Sequence, residues 1–240
     1  MFEDRFYRDS VNAKGLIKFR VNIDETDILI FTETDFSELA YRFVRRLRYE
    51  IRKYIQLNFS FFKSLKPVNV DCNAPKIIQD MQRASLKAGV GPMAAVAGVI
   101  ADYLGGALSK KSKEVIVENG GDIYFASQKE RLVKIYAGNS VLSGKIALNI
   151  KPEKSPLGIC TSSKTIGHSM SFGIADAACV VAKSACTADA FATSIGNSIK
   201  SEENLQGILE KFNFTEDVFG AVVIVKEKLA CIGDIELVML

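Results

Sequence analysis

Ala188-Asp189-Ala190-Phe191-Ala192-Thr193 is the stretch of this sequence from which its fold can be inferred. On a helix, the carboxylate of Asp189 and the hydroxyl of Thr193 lie one turn apart on the same face. Two such oxygen ligands are suited to Mg²⁺. The neighbouring residues are mostly small, which lets the helix lie close to other backbone or to a ligand. A purely structural role is the alternative, with Asp189 capping or ion-paired and Thr193 bonded to its own helix.

Length and composition indicate one globular domain spanning residues 1–240. Of the 240 residues, 48% are hydrophobic and 25% charged, so the chain can bury a large core. No stretch rich in proline, glycine or serine divides it. The five cysteines are odd in number and widely spaced, which argues against a disulfide framework and against a zinc site. We therefore expect a reducing, cytoplasmic location.

Charge and hydropathy restrict the expected partners. The net charge of +3 is small for this length, so we expect no nucleic acid. The longest stretch rich in alanine and valine, Met93 to Ala101, is too short to span a bilayer, and we expect no membrane partner. A small molecule is the expected ligand, and assembly into a homo-oligomer is left open.

An amino-terminal hairpin and three helices are predicted in the first half of the chain. Apolar residues around a polar turn predict a hairpin of Leu16 to Asn22 and Asp27 to Thr32. Apolar residues at four-residue steps predict a long helix from Asp35 to about Asn58. Proline and glycine positions predict two further helices, Pro75 to about Ala88 and Gly91 to about Leu104, joined by a tight corner.

A mostly antiparallel sheet is predicted for much of the remaining chain. Two strands, Glu114 to Val117 and Ile123 to Phe125, flank a tight turn. Three more are predicted to continue the same meander: Leu132 to Tyr136, Gly144 to Ile150 and Gly158 to Thr161. Later strands are predicted at Ala177 to Ala182, Ala221 to Val225 and Leu229 to Leu237. The fold class is therefore α/β of the α+β kind, a single layered domain with a mostly antiparallel sheet and packed helices.

The turn Glu118-Asn119-Gly120-Gly121-Asp122 carries an acid on each side of two glycines. Asn-Gly-Gly is an ordinary hairpin signal. A tight turn also places Glu118 and Asp122 at a strand end, where ligands of mixed α/β proteins often bind. The turn is thus a candidate ligand contact, with a simple hairpin as the alternative.

Two further segments are candidate ligand contacts. Thr161 to Gly173 is rich in hydroxyls and glycine and contains His168, the only histidine of the chain. Such groups can contact a phosphate or an isoalloxazine edge, or transfer a proton if His168 has a partner; a polar surface loop is the alternative. The corner at Gly91 is a weaker signal, because corner glycines are common without any ligand. Its glycines allow close backbone approach, and the amides of the next helix can receive an anion.

Four short motifs follow one another along the chain. They are Gly91-Pro92-Met93-Ala94-Ala95-Val96-Ala97-Gly98, Glu118-Asn119-Gly120-Gly121-Asp122, Cys160-Thr161-Ser162-Ser163 with Gly167-His168-Ser169, and Ala188 to Thr193 with Gly196-Asn197. In this order they resemble the ApbE-like superfamily, which is flavin transferase-like. More narrowly, the chain is similar to the compact uncharacterised-protein-family branch of that superfamily found in archaea and bacteria. The resemblance covers nearly the whole chain.

This resemblance implies a function and a set of site residues. Better-understood members transfer FMN from FAD onto a threonine or serine of a target protein with Mg²⁺, so the implied partners are a flavin nucleotide and an acceptor protein. It implies that Asp189 and Thr193 bind Mg²⁺ and that His168 or Asp122 assists proton movement. It further implies that FAD or FMN contacts nine residues: Gly91, Met93, Gly98, Glu118, Gly120, Gly121, Thr161, Ser162 and Ser163.

Two departures from the family pattern fall where the substrate would be handled. The lysine expected beside Gly98 is absent, with Val96 and Ala97 in its neighbourhood, and the histidine motif lacks its Asp-Pro pair. Three function classes therefore stay open. The first is an enzyme that transfers FMN or cleaves a pyrophosphate. The second is a protein that binds a flavin nucleotide without chemistry, and the third is a structural subunit with a relic site.

Overall fold

The computed structural model describes residue 8, residues 13–164 and residues 173–240. Within these residues the chain forms six α-helices: α1 Ser37–Leu57, α2 Phe59–Lys63, α3 Lys76–Ala88, α4 Val96–Leu108, α5 Ala185–Ser198 and α6 Leu205–Glu210. It forms eleven strands: β1 Ile17–Ile23, β2 Thr26–Thr32, β3 Val115–Asn119, β4 Asp122–Ala126, β5 Arg131–Ile135, β6 Ile146–Ile150, β7 Leu157–Ser162, β8 Ala177–Ala182, β9 Val218–Val225, β10 Lys228–Gly233 and β11 Leu237–Met239. The predicted α+β class with a mostly antiparallel sheet is confirmed.

The strands form two sheets rather than one. Eight of them make an antiparallel sheet in the order β1-β2-β3-β4-β7-β8-β9-β10, and β11-β6-β5 make a separate three-stranded sheet. The prediction that Leu132 to Tyr136 and Gly144 to Ile150 continue the meander was therefore wrong. Their apolar side chains, such as the buried Ile146 and Leu148, cover the second face of the large sheet instead of extending its edge.

The large sheet is the middle layer of three. On one side, Ala178 and Val180 of β8 pack into the main core with α1, α3, α4 and α5. On the other side, Cys179 and Val181 of the same strand pack against the small sheet. Successive side chains of a strand point to opposite faces, so a strand between two layers is apolar throughout. This explains the unbroken apolar sequence of β8, all of whose residues are buried.

The predicted hairpin and helices of the first half are present. The hairpin forms as β1 and β2, and α1 and α3 form close to their predicted bounds. The helix predicted from Gly91 to about Leu104 begins only at Val96, after a 3₁₀ turn at Pro92–Ala95, and continues to Leu108. α1 begins at Ser37 because the Asp35 carboxylate accepts a hydrogen bond from the Ser37 amide and turns the chain just before the helix. No single helix among the described residues is long and apolar enough to cross a membrane. α3 passes that test only jointly with Pro92–Leu108, at a bend of 106°.

α5 lies directly against the backbone of β7. A side chain at Gly158 would overlap the backbone at Ser184 and Ala185, where α5 begins. The Cys160 thiol, two residues further along β7, donates to the Ala185 carbonyl at 3.2 Å. Glycine at position 158 is therefore required for this close approach, which fixes the start of α5 over the sheet.

Gly158→Ala is expected to destabilise the protein by about 3 kcal/mol, because the added methyl forces β7 and α5 apart. The measurement is the free energy of unfolding from a denaturant titration. Gly106→Ala on α4 is the matched control, since nothing lies within 4 Å of its added methyl. The control is expected to be neutral or stabilising by up to about 1 kcal/mol. Equal effects of the two changes would contradict the close packing of α5 on β7.

Candidate functional site

The site is built on a reciprocal contact between the starts of α4 and α5. The Asp102 carboxylate on α4 accepts hydrogen bonds from the Ala185 and Cys186 amides at the start of α5, both at 2.8 Å. The Asp189 carboxylate on α5 accepts one from the Gly98 amide in the first turn of α4, at 2.9 Å. Each helix thus supplies the acceptor for amides that have no partner within the other helix.

Local sequence explains why the two helices meet this closely. Ser184 is the N-cap of α5, because its hydroxyl accepts a hydrogen bond from the Thr187 amide at 3.1 Å. A side chain at Gly98 would lie 2.8 Å from Cβ of Asp189 and would overlap the carbonyl of Ala185. Glycine at position 98 therefore permits the Asp189 contact, and its amide is directed at that carboxylate.

Burial governs the ionisation of both carboxyl groups. It raises the pKa of Asp102 to about 6, against the opposing effect of the Cys186 and Ala185 amides. It raises the pKa of Asp189 to about 7, against the amides of Gly98 and Ala97, and the charge of Asp102 adds to this increase. Both groups thus change charge near neutral pH, and a bound cation would favour the ionised form.

The turn between β3 and β4 is tied to the start of α4. Gly120 and Gly121 have positive φ values of 71° and 99°, so the turn depends on glycine at both positions. The Asn119 side-chain amide donates to the Ala97 carbonyl at 3.0 Å. The Glu118 carboxylate accepts from the Gly121 amide at 2.7 Å. The predicted hairpin is therefore real, and it lies beside the Asp189 contact.

The Glu118 carboxylate has partners within the protein. Its carboxylate forms an ion pair with the buried Arg8 at 2.5 Å, in addition to its bond with the Gly121 amide. Arg8 also pairs with Asp27 at 2.8 Å, so it connects the turn with the β1–β2 hairpin. The predicted ligand contact of Glu118 consequently stays a prediction, while its structural role is visible. Arg8 has no neighbouring motif in the sequence that would have indicated this role.

The end of β7 lies next to the β3–β4 turn, because β4 pairs with β7. Asp122 is buried and lies opposite Cys160 in the β4–β7 pairing. Burial raises the pKa of the Cys160 thiol well above its usual range, and the charges of Asp122, Asp189 and Asp102 raise it further. These three carboxylates therefore all contribute to a negative potential at Cys160. Negative surroundings favour a cation.

The predicted hydroxyl residues do not share one face of the large sheet, because Thr161 alternates with Cys160 and Ser162 along β7 and points toward the small sheet. The Thr161 side chain is hydrogen-bonded to Cys179 on β8, and Ser162 and Ser163 are buried. A side chain at Gly196 on α5 would lie 3.4 Å from the Ser162 hydroxyl. The end of β7 therefore runs close to the second half of α5. The predicted proton-transfer residue His168 lies outside the described residues.

Gly91 and Met93 lie at the entry to α4, in the corner that precedes it. A side chain at Gly91 would overlap the carbonyl of Ser64, so this glycine is required by the packing of the α2–α3 segment. Met93 is half-buried in a 3₁₀ turn, Pro92–Ala95. Of the predicted site residues, Gly98 and Asp189 meet at the start of α4 with the β3–β4 turn beside them, and Gly91 and Glu118 also have structural roles.

Asp189 and Thr193 supply only part of a Mg²⁺ coordination shell, so waters or a bound phosphate would have to supply the remaining oxygens. Asp189 and the half-buried Thr193 lie one turn apart on α5, as the sequence predicts. Among the residues that the structure describes, no three histidine, cysteine or acidic side chains form a metal-binding group. Mg²⁺ typically takes one or two carboxylates and completes its shell with waters and phosphate oxygens. A carboxylate and a hydroxyl on one helix face match that pattern.

Comparison with known proteins identifies the family. The family model described as AbpE bacteria matches residues 8–209 of the chain. The chain belongs to this family. A UPF0280 protein of Methanocaldococcus jannaschii is 42% identical over 224 residues, which cover 91% of each chain. A UPF0280 protein of Methanobrevibacter smithii is 40% identical over 222 residues, which cover 89% of this chain and 92% of that one. The resemblance found in the sequence motifs is confirmed.

Solved structures agree with this assignment at the level of fold. A mutant of the flavin transferase ApbE from Vibrio cholerae matches with a TM-score of 0.58 and 14% identity, covering 90% of this chain and 96% of that one. The ApbE protein from Thermotoga maritima matches with a TM-score of 0.51 and 12% identity, covering 92% and 96%. Matches at these identities show that the chain has the ApbE fold.

Asp102→Asn is expected to change how stability depends on pH. The pKa of Asp102 is about 6 in the folded protein, above its ordinary 3.8, so folding takes up a proton between these pH values. The resulting stabilisation is fully present below the lower value and is lost as the pH rises through the higher one. Thermal unfolding of both proteins should therefore show the wild type losing stability relative to the variant between about pH 4 and pH 7. Parallel curves would contradict the assignment.

Proposed function

We propose that this chain binds a flavin nucleotide, FAD or FMN, together with Mg²⁺ at the contact between α4 and α5. The observation that carries the proposal is the position of the Asp189 carboxylate. It lies one turn before the Thr193 hydroxyl on α5 and is held at the start of α4 by the Gly98 amide. The flavin transferases that share this fold make a flavin nucleotide the natural ligand to test.

Each proposed contact has a distinct task. Asp189 and Thr193 would hold the metal, which, when bound, neutralises negative charge on a pyrophosphate. Gly120 and Gly121 leave room for close approach of the nucleotide because neither carries a side chain. Asn119 holds the Ala97 carbonyl, and so keeps the turn and the start of α4 at a fixed separation.

Binding of the nucleotide is the function that we propose first. Transfer of FMN to an acceptor protein is the second candidate function. Three of the matching solved structures are named flavin or flavinyl transferases, which favours transfer. The absence of the lysine next to Gly98, where Ala97 stands, removes a basic group from the nucleotide contacts and favours binding alone. Asp122 is the proposed proton acceptor if a bond is broken, since it is buried beside the site. The cytoplasmic location and a homo-oligomeric state stay predictions.

Asp189→Ala is expected to abolish Mg²⁺-dependent nucleotide binding, because it removes the charged metal ligand. Thr193→Val is expected to weaken binding about tenfold, since it removes one neutral oxygen ligand. The measurement is calorimetric titration of metal-stripped protein with FAD, with and without Mg²⁺. Chromatography of the nucleotide then reports whether AMP and FMN are released.

Ser194→Ala is the matched control for these variants. Ser194 follows Thr193 on the same helix, and its hydroxyl donates to the Ala88 carbonyl on α3 at 2.7 Å. The control is expected to bind as the wild type does. Binding that persists without Asp189 would contradict the metal assignment. If the wild type binds neither FAD nor Mg²⁺, the chain has the fold of the flavin transferases but not the proposed function.

A further inference from the structure

A second surface of interest lies at the end of α1, on α2 and just after α2. Four large apolar side chains are exposed there: Leu57 by 79%, Phe59 by 64%, Phe62 by 43% and Leu65 by 60%. We call these four residues the apolar patch. Exposed large apolar residues that cluster in this way commonly mark an interaction site.

The charged side chains nearest the apolar patch in sequence are basic. Residues 51–70 contain Arg52, Lys53, Lys63 and Lys66 and no aspartate or glutamate. Arg52 is paired with Asp24 at 3.0 Å, whereas none of the three lysines forms an ion pair within the described part of the chain. Lys63 extends over the patch, with Nζ 5.6 Å from the ring centroid of Phe59 and 5.8 Å from that of Phe62. The ammonium group thus lies over the two exposed rings, within the range of a cation–π contact.

The apolar patch is held on a fixed base. Phe61, between the two exposed rings, is buried and packs edge-to-face on Tyr54 of α1 with ring centroids 5.2 Å apart. The Ser64 carbonyl packs against Gly91 at the corner before α4. Phe59 and Phe62 are therefore presented outward by a segment that is itself anchored in the core.

We propose that the apolar patch and its three lysines bind the surface of an anionic lipid bilayer. Phenylalanine and leucine side chains enter the boundary between headgroups and acyl chains, and neighbouring lysines attract anionic headgroups. A second copy of the chain is disfavoured, because a symmetric contact would bring the same unpaired lysines together. The proposal departs from the sequence-based expectation of no membrane partner, which rested on the lack of a spanning segment and did not address surface binding.

A single tryptophan reports directly on this contact. The chain contains no tryptophan, so Phe59→Trp places the sole indole in the patch. Leu132→Trp is the matched control, because Leu132 is 51% exposed on β5, in the sheet on the opposite side of the molecule from the helices. Thermal unfolding checks that both variants are folded. The probes are vesicles of phosphatidylglycerol with phosphatidylcholine and vesicles of phosphatidylcholine alone.

The emission of the Phe59→Trp protein is expected to shift to the blue with the anionic vesicles and to return in high salt, whereas the Leu132→Trp protein shows no shift. Phe62→Ser and Lys63→Glu, each added to Phe59→Trp, are expected to weaken vesicle binding about tenfold. The proposal is overturned if no vesicle shifts the emission, or if both vesicle types shift it equally. It is also overturned, in favour of self-association, if the shift appears without vesicles and grows with protein concentration.

Discussion

The reciprocal bonds between α4 and α5 are the constraint on which the candidate site depends. The Asp102 carboxylate accepts hydrogen bonds from two amides of α5, and the Asp189 carboxylate accepts one from an amide of α4. Neither helix can therefore slide along the other without breaking these hydrogen bonds. Helix starts carry partial positive charge, and a carboxylate placed there satisfies both the amides and the local potential. Gly158 and Gly98 are needed because no side chain fits where α5 meets β7 and α4. The position of Thr193 follows from this arrangement, since it lies on the same rigid helix.

The ionisation of Asp102 and Asp189 links the packing of α4 and α5 to cation binding. Burial holds the pKa of Asp189 near 7 and that of Asp102 near 6, so the ionised forms are costly in the absence of a cation. A metal held by Asp189 would lower that cost, which couples metal binding to pH and to the stability of the helix pair. Asn119 extends the coupling to the β3–β4 turn through its bond to Ala97. A ligand contacting the turn and the metal would thus engage parts that are already connected.

Sequence reasoning identified the elements of this site better than their arrangement. Periodicity and turn residues predicted the hairpins, the longer helices and the antiparallel character of the sheet, because these depend on local signals. The short helix α2 was not predicted. Leu132 to Tyr136 and Gly144 to Ile150 were assigned to the wrong sheet, because strand patterns do not reveal which face or edge a strand will cover. The ordered motifs predicted the family and placed Asp189 and Thr193 correctly on α5. The ion pair of Arg8 with Glu118 was not predictable, since it joins residues 110 positions apart without any shared pattern.

The reciprocal contact has a consequence for how the chain folds. Its hydrogen bonds connect residues that are 83, 84 and 91 positions apart in sequence. Neither helix therefore has a complete amino terminus until strands β3 to β8, which lie between them in the chain, have been brought together. Closing such long loops costs entropy before any contact compensates for it, and contacts of large sequence separation slow folding. We therefore expect the junction of α4 and α5 to form late in folding, when most of the chain topology is in place.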